Sequence, residues 1–574
     1  MKNVLRVNMT SGIVSSQPLP EKYQLLGGRG LSSKVVLDEV PADCDPLGPM
    51  NKLVFAVGLL GGTYLSSANR LSVGAKSPLT KGIKESNAGG TTALRMAQMG
   101  YRAVIIEGQG KPGQLQYLII GKDRLELRSA ENFKGLGCFE SARLLLEEWG
   151  AKAALALIGP AGEKLMNVAG IANTDMEGQP TRYSARGGLG AVMAAKGLKA
   201  IVILPDSRSQ ETMNSPEIWK EASKKFHHLL KTTPLTSETM PKFGTALTME
   251  LINSLGAVPT RNFSTGQFEK AEDIGGMKMR ELILERGGEG TPTHACMPGC
   301  LVKCSNRYPD KDGKLLNTPL EYETLGFLGS NIGIGELDII SRLNAICNDL
   351  GADTIETGAA IAIAMEAGVA EFGDGAAAES MLQQIREGSA VGQVLGQGAV
   401  AAGKHWGIER VAAYKGQAPG AYDPRSLKVN GVTYATSPMG GDHTAGNGLF
   451  LKIDHLDPVG KVEISHNLQI TSGWVDTLGL CTFVRGIHVA DPELFPSLIN
   501  SRYGVNWTAK DLEELGEQVI TSELEFNRLA GLNATEAVPD FFKLQPLPPH
   551  NSVWDIPEEE LKNIWSELGF PEVN

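Results

Sequence analysis

Residues 473–483 read GWVDTLGLCTF, setting Asp476 and Cys481 five positions apart around Gly479. Five residues span at most ~18 Å even when fully extended. A second stretch, THACMPGCLVKCSNRYPD at 293–310, places Cys296, Cys300 and Cys304 in a C-x3-C-x3-C pattern. Pro298 and Gly299 within it predict a loop running into a helix rather than one continuous helical face. Three soft thiolates this close suit zinc or an iron–sulfur cluster. Structural zinc usually takes two short-spaced pairs of ligands, and no second pair is present; after Cys296 the next histidine is His405. A four-iron cluster needs one more cysteine, which can be remote. Cys44, Cys138, Cys347 and Cys481 are the candidates.

The chain is 574 residues long, enough for two to four domains by ordinary domain size. A formal net charge of −11 argues against a nucleic-acid surface. The 68 glycines exceed the usual share of about 7% and suit close packing of backbone around a large cofactor. No apolar run approaches the ~18 residues of a membrane span, and the start, MKNVLRVNMTSGIV, lacks a signal-peptide core. The expected location is cytoplasmic, where clustered cysteines bind metal more often than they form disulfides.

Short apolar-alternating segments at 3–9, 52–60, 70–76, 102–108, 115–121, 125–130 and 199–204 predict strands, with a helix at CFESARLLLEEW, 138–149. The polar segment 204–219 reads as a boundary. Beyond it, helical periodicity dominates at 217–233, 337–351, 353–368 and 379–388. A second break is expected near YKGQAPGAYDPRS, 414–426, before a mostly helical final third. The fold class is α+β. The expected domains are a sheet-rich cofactor-binding domain at 1–207, a helical domain with the clustered cysteines at 208–412, and a mainly helical domain at 413–574.

The segment DTLGLC, 476–481, resembles the D-x-x-G-L-C motif of the aldehyde ferredoxin oxidoreductases, tungsten-pterin enzymes. The resemblance runs along almost the whole chain, in order and rough spacing. LLGGRGLSSKVVLDEV (25–40) is similar to that family's N-terminal glycine-rich turn, and ANRLSVGAKSPLTKGIKESNAGG (68–90) to its next signature. RYSARGGLGAVMAAKGLKAIVI (182–203) resembles the phosphate-side loop. LEYETLGFLGSN (320–331), CNDLGADTIETG (347–358) and GAYDPRSLKVNGVTYATSPMGGDHTAG (420–446) match in turn. Taken singly, most of these are ordinary loops; their shared order makes them specific.

The resemblance implies an oxidoreductase with a tungsten (or molybdenum) bis-pterin, a 4Fe–4S cluster and a Mg2+ bridging the pterin phosphates. Cys481 would join Cys296, Cys300 and Cys304 on the cluster. Arg70 would lie between cluster and pterin. The backbone carbonyls of Asn87 and Gly187 would hold the Mg2+, with Arg186 beside the phosphates. Asp476 would bind one pterin, and Asn348 with Asp353 the other. Glu323 and His443, residue types able to move a proton near neutral pH, would sit at the metal. Aldehydes would be oxidised to carboxylic acids, with electrons passing to ferredoxin or an iron–sulfur subunit, in a homodimer or hetero-oligomer.

Three departures from the family pattern stand out. Archaeal members show C-x2-C-x3-C, one residue shorter between the first two cysteines. Asn348 replaces the first aspartate of D-x-x-G-L-D, trading an acceptor-only group for an amide. The E-x-x-H pair that some members use for an interfacial iron falls on Arg342 and Ala345, so that iron is not expected. Two other readings share these motifs. One is a catalytic subunit running another low-potential reaction, such as reduction of an aromatic acyl thioester. The other is a non-catalytic iron–sulfur scaffold, against which the phosphate-side residues argue.

Overall fold

The computed structural model describes residues 1–206 and 213–570. The first domain boundary expected from sequence, at 207/208, lies outside the described residues.

Two six-stranded sheets build the N-terminal part. The first contains β1 (Asn3–Asn8), β2 (Ile13–Pro18), β3 (Leu53–Val57), β4 (Leu71–Lys76), β5 (Ile83–Ala88) and β6 (Tyr101–Glu107), in the order β2-β1-β6-β3-β4-β5. The second contains β7 (Gln116–Gly121), β8 (Arg124–Ser129), β9 (Ala154–Leu157), β10 (Ile171–Asn173), β11 (Arg182–Ser184) and β12 (Leu198–Ile203), in the order β11-β10-β9-β12-β7-β8. Only β1/β6 and β12/β7 pair in parallel.

Alternation along the strands explains the layering. In β3, Leu53, Phe55 and Val57 enter one apolar cluster while Val54 and Ala56 enter another. In β12, Ile201 and Ile203 join the former, and Ala200 and Val202 face a third. The shared cluster lies between the sheets. Outside it, the helix Gly28–Glu39 covers the first sheet through Leu31, Val35 and Val36, and Cys138–Trp149 covers the second through Ala142 and Leu145.

The remainder is mainly helical. Its largest core surrounds the helix Thr354–Glu366, buried from Ile355 to Met365, and takes residues from both sides of the expected 412/413 boundary. The segment 417–436 around the expected second break is buried throughout, so there the chain passes through the interior. A further apolar cluster combines Leu59 and Leu60 with Phe226, Cys300, Trp474, Leu478 and Leu498. Among the described residues no helix is long and apolar enough to cross a membrane.

The clustered cysteines depart from expectation in one respect. They lie in a loop between β13 (Thr291–His294) and β14 (Ser305–Pro309), which with β15 (Leu315–Asn317) forms a small antiparallel sheet. The loop runs into a strand, not a helix. Gly299 and Lys303 take left-handed φ values of 76° and 47°, and Pro298 has no N–H to donate, so a helix cannot propagate through them.

Candidate functional site

The turn after the helix Lys461–Leu478 is stitched to the segment following β3. Leu59 N donates to Thr477 O at 3.0 Å, Leu60 N to Leu478 O at 2.9 Å, Arg70 N to Gly479 O at 3.1 Å and Cys481 N to Ser67 O at 2.9 Å. These bonds fix Asp476, Cys481 and Arg70 as one unit. Gly28 lets the first helix approach it: a Cβ there would stand 2.0 Å from Asp476 O. The cysteine loop docks alongside through Gly90 N, which donates to Cys296 O at 2.8 Å.

The four cysteines lie close enough for their thiols to perturb one another. Cys296 and Cys300 perturb each other, Cys296 drawing the Cys300 thiol down while burial opposes it. Burial pushes the Cys304 thiol up, and Cys481 adds to that rise. Arg70 is raised against its own burial by Cys481, Cys296 and Asp476. Among the described residues no three His, Cys, Asp or Glu side chains converge to hold a single metal ion. All seven cysteines are free thiols. Four free thiols are the donor set a four-iron cluster takes.

Arg70 turns its fork onto Asn87. Nε donates to Asn87 Oδ1 in a short contact, and Nη2 to the Asn87 carbonyl at 3.3 Å. Asn87 is the half-buried penultimate residue of β5, whose Lys84, Glu85 and Ser86 are buried. Burial first, and then Asp476, pushes Glu85 up to about 8. Burial likewise pushes Asp476 up to about 6, with Arg29 and Arg70 opposing it. Arg29 itself is buried in a two-pronged pair with Glu523 at 2.8 and 2.7 Å.

Against β5 packs the tight turn Arg186–Gly188. A Cβ on Gly187 would meet the Lys84 side chain at 2.4 Å, and its φ of 79° is left-handed. Ser77 Oγ donates to the Gly187 carbonyl at 2.7 Å. Arg186 reaches Asp353 Oδ2 with Nε at 3.3 Å, Gly441 O with Nη1 at 2.8 Å, and Ala418 O with Nη2. Lys84 Nζ meets Asp442 Oδ2 at 2.5 Å. The structure thus brings Arg186, Gly187 and Asp353 together. Asp353 also caps the helix Thr354–Glu366 through Ile355 N at 3.0 Å. Asn348 is buried nearby, with its amide donating to Asn317 Oδ1 at 3.1 Å.

Glu323 lies in the first turn of the helix Tyr322–Phe327, and His443 follows Gly440–Gly441. His443 Nε2 lies 3.3 Å from Glu323 Oε1, each side chain 17% exposed. Glu323 Oε2 accepts from Ala421 N at 2.8 Å. Glu323 Oε1 and His443 Nδ1 have no hydrogen-bond partner. Tyr422 stacks obliquely on both His443 (5.7 Å between centroids) and Tyr322 (5.3 Å), and burial with the Glu323 carboxylate raises its phenol.

Sequence reasoning missed six participants. Arg29, Lys84 and Glu85 fall inside the quoted signatures without being singled out, and Glu523 lies in no quoted motif. Gln417, fully buried, leaves both amide atoms unpartnered, and Arg485, half-buried, leaves Nη1 so while Nη2 donates to Asn447 O. Unpartnered buried donors and acceptors are rare in folded proteins. Gln417 adjoins Ala418, whose carbonyl accepts from Arg186, and Arg485 is pushed down by burial and drawn up by Asp476. These free groups, with Arg186, have the donor chemistry a phosphate-bearing pterin needs.

With the geometry in place, sequence comparison gives the class. The pattern described as "Aldehyde ferredoxin oxidoreductase, N-terminal domain" matches residues 4–205, and "Aldehyde ferredoxin oxidoreductase, domains 2 & 3" matches 221–572. The chain belongs to the aldehyde ferredoxin oxidoreductase family and is an oxidoreductase of that class. It is 32% identical to the tungsten-containing aldehyde ferredoxin oxidoreductase of Pyrococcus furiosus, over 95% of this chain and 91% of the relative. It is 26% identical to an aliphatic sulfonate oxidoreductase, WOR-like subunit, from the same organism, over 99% and 94%. Among solved structures, the active site complex BamBC of benzoyl coenzyme A reductase with 1,5-dienoyl-CoA shares the fold. Its TM-score is 0.80 at 22% identity, over 99% of this chain and 94% of that one.

Proposed function

We propose that the chain is the catalytic component of a low-potential two-electron oxidoreductase. The observation that carries this reading is the Glu323–His443 pair, 3.3 Å apart, with Glu323 Oε1 and His443 Nδ1 unpartnered in a largely buried pocket. Such a pair can hold a proton at one atom and deliver it at another. A tungsten or molybdenum bis-pterin, when bound, supplies the two-electron acceptor. Arg186, Asp353, Asp476 and Asn348 would hold the pterins, the Asn87 and Gly187 carbonyls a Mg2+, and Cys296, Cys300, Cys304 and Cys481 a 4Fe–4S cluster. Both carbonyls already accept one hydrogen bond, and each retains a second lone pair.

Oxidation of an aldehyde to its carboxylic acid is the first reading. Glu323 Oε1 takes the proton from water or from the hydrated aldehyde, while His443 hydrogen-bonds the substrate oxygen and orients the carbonyl. Tyr322 and Tyr422 exclude bulk water from this step. Two electrons leave in single steps to a ferredoxin or an iron–sulfur subunit. The second reading is reduction of an aromatic acyl thioester within a larger complex. The wall of Tyr322, Tyr422 and Tyr434 suits a planar ring, and the fold shared with BamBC supports it.

Anaerobically purified protein, assayed for tungsten, molybdenum and iron and then tested on two panels, decides between them. Aldehydes with a viologen acceptor turn over under the first reading. Aromatic acyl thioesters with a low-potential donor turn over under the second. Iron without tungsten or molybdenum, and no turnover on either panel, would leave only a scaffold role.

A further inference from the structure

Arg182 begins β11, the edge strand of the second sheet, and only 5% of it is exposed. Its guanidinium reaches across to the neck of the cysteine loop. Nη1 donates to Ser305 Oγ at 2.7 Å, and Nη2 lies 2.9 Å from His294 Nδ1. His294 and Ser305 are partners in the β13/β14 pair, the two strands from which Cys296, Cys300 and Cys304 loop out. One side chain thus clasps both ends of the loop. Arginine has donors only, so Nδ1 must accept and the imidazole is neutral, with its proton on Nε2. That proton goes to Glu177 Oε2 at 3.0 Å. The chain Glu177–His294–Arg182 fixes where the guanidinium stands.

No carboxylate is spent on that charge. The hydrogen bonds of Arg182 go to a hydroxyl and a neutral imidazole, and its buried Nε has no partner. Asp175, a buried acid a few residues earlier, turns its oxygens to Glu177 N, Gln179 N and Thr181 Oγ1 instead. A buried cation without a bonded counter-charge is costly, and a buried donor without an acceptor is rare. What stands beside it is the cysteine loop. A Cβ on Gly90 would lie 3.5 Å from the Arg182 Cβ, and Gly90 N donates to Cys296 O at 2.8 Å. The charge is felt at the thiols themselves. Cys300 and burial push the Cys296 thiol up, burial and Glu321 push up that of Cys304, and Arg182 draws both down. At Cys481 burial again pushes up, and there the opposing cation is Arg70.

We propose that Arg182 sets the reduction potential of the iron–sulfur cluster on these cysteines. The inference rests on the proposed cluster and adds the residue that tunes it. Four thiolates make such a cluster an anion, and each electron it takes adds one negative charge. A fixed cation beside it stabilises the reduced form more than the oxidised one, so the potential rises. The free Nε is available as a donor to a thiolate or sulfide, which acts in the same direction. Arg182 keeps its proton throughout, as a guanidinium does, and only the electron moves. His294 and Ser305 serve as positioning residues that hold the charge in place.

The test is a redox titration of the anaerobically purified, metal-loaded protein, followed by low-temperature EPR. Arg182→Gln removes the charge and keeps polar atoms at the loop. At a fixed applied potential its ratio of reduced to oxidised cluster should fall by about tenfold or more, which for a one-electron couple is about 59 mV. Iron per chain should stay at the wild-type level. Arg182→Lys keeps the charge and loses the fork, and it should recover most of the shift. Wild-type potential in Arg182→Gln at full iron would overturn the inference. So would an Arg182→Lys variant that keeps its iron but not its potential, because Arg182 would then be a clasp for the loop and no charge for the cluster. Should Arg182→Gln lose its iron, the lysine variant decides: full iron at a potential near wild type supports the assignment, and loss of iron there too overturns it. A wild-type protein without a four-iron signal would instead strike the proposed cluster, so the two failures are distinguishable.

Discussion

His443 Nε2 stands 3.3 Å from Glu323 Oε1, although the two residues come from distant stretches of the chain. Glu323 is held from its other oxygen by Ala421 N, and His443 is flanked by Tyr422. The segment around Ala421 and Tyr422 therefore positions both members. If Glu323 is the proton-accepting group, Glu323→Gln removes the base while keeping the acceptor for Ala421 N. Turnover should drop by roughly 10²–10⁴-fold, with tungsten or molybdenum content unchanged. Full activity at full metal occupancy would end the assignment.

The Arg29–Glu523 pair should be a stability element rather than a chemical one. Both side chains are essentially inaccessible, and Ser33 Oγ donates to the same carboxylate at 2.8 Å. Replacing one partner strands a buried charge. Glu523→Gln should lower unfolding free energy by about 3–5 kcal/mol, read by chemical denaturation of the wild type and the variant side by side. Arg29 also lies 3.6 Å from Asp476, so the variant should additionally loosen the turn that carries Cys481.

How much of this was legible in the sequence depends on where each signal resides. The helix Cys138–Trp149 was read residue for residue, because its apolar periodicity is local. Strand β5, IKESNA, escaped notice because its buried residues are polar, and a period-2 apolar signal cannot form there. Those polar residues point toward the site, so the strand was hidden by its function. Asp476, Cys481 and the cysteine trio carry motifs and could be named. Arg29–Glu523 and Lys84–Asp442 are pairings between remote segments, and no window of sequence contains both halves. The cysteine loop was expected to enter a helix; its left-handed residues and the neighbouring strand β13 decide otherwise.

Glu356 offers a pH signature that can be read without the cofactors bound. Burial pushes its carboxyl from 4.5 up to about 7, against backbone hydrogen bonds from Ala399 and Ala418 at 2.8 Å each. A carboxyl with a raised folded-state pKa favours folding in its protonated form. Its contribution is fully present below the unfolded value of 4.5 and is lost as pH rises through about 7. Thermal melts of the cofactor-free protein should therefore show this contribution declining between those limits. Glu356→Gln should flatten that decline and destabilise at low pH, because one of the two backbone N–H groups loses its acceptor. Identical pH profiles for the two proteins would refute the link.

Cys481 separates the cluster reading from a packing one most sharply. It is buried, its N–H is fixed by Ser67 O at 2.9 Å, and burial raises its thiol while Arg70 opposes the rise. As a small apolar residue in a core, Cys481→Ala would lose one sulfur's contacts and little else. As the fourth ligand of a four-iron cluster, its removal should lower iron per chain or convert the cluster. Low-temperature EPR of the reduced variant should then lose or change the four-iron signal. Viologen reduction should slow even where tungsten or molybdenum is retained, because the cluster is the exit for electrons. Cys481→Ser, with a weaker oxygen donor, should fall between the alanine variant and the wild type in iron content. Iron content and an EPR spectrum indistinguishable from wild type in Cys481→Ala would remove Cys481 from the ligand set. The buried thiol of Cys347 would then be the next to substitute.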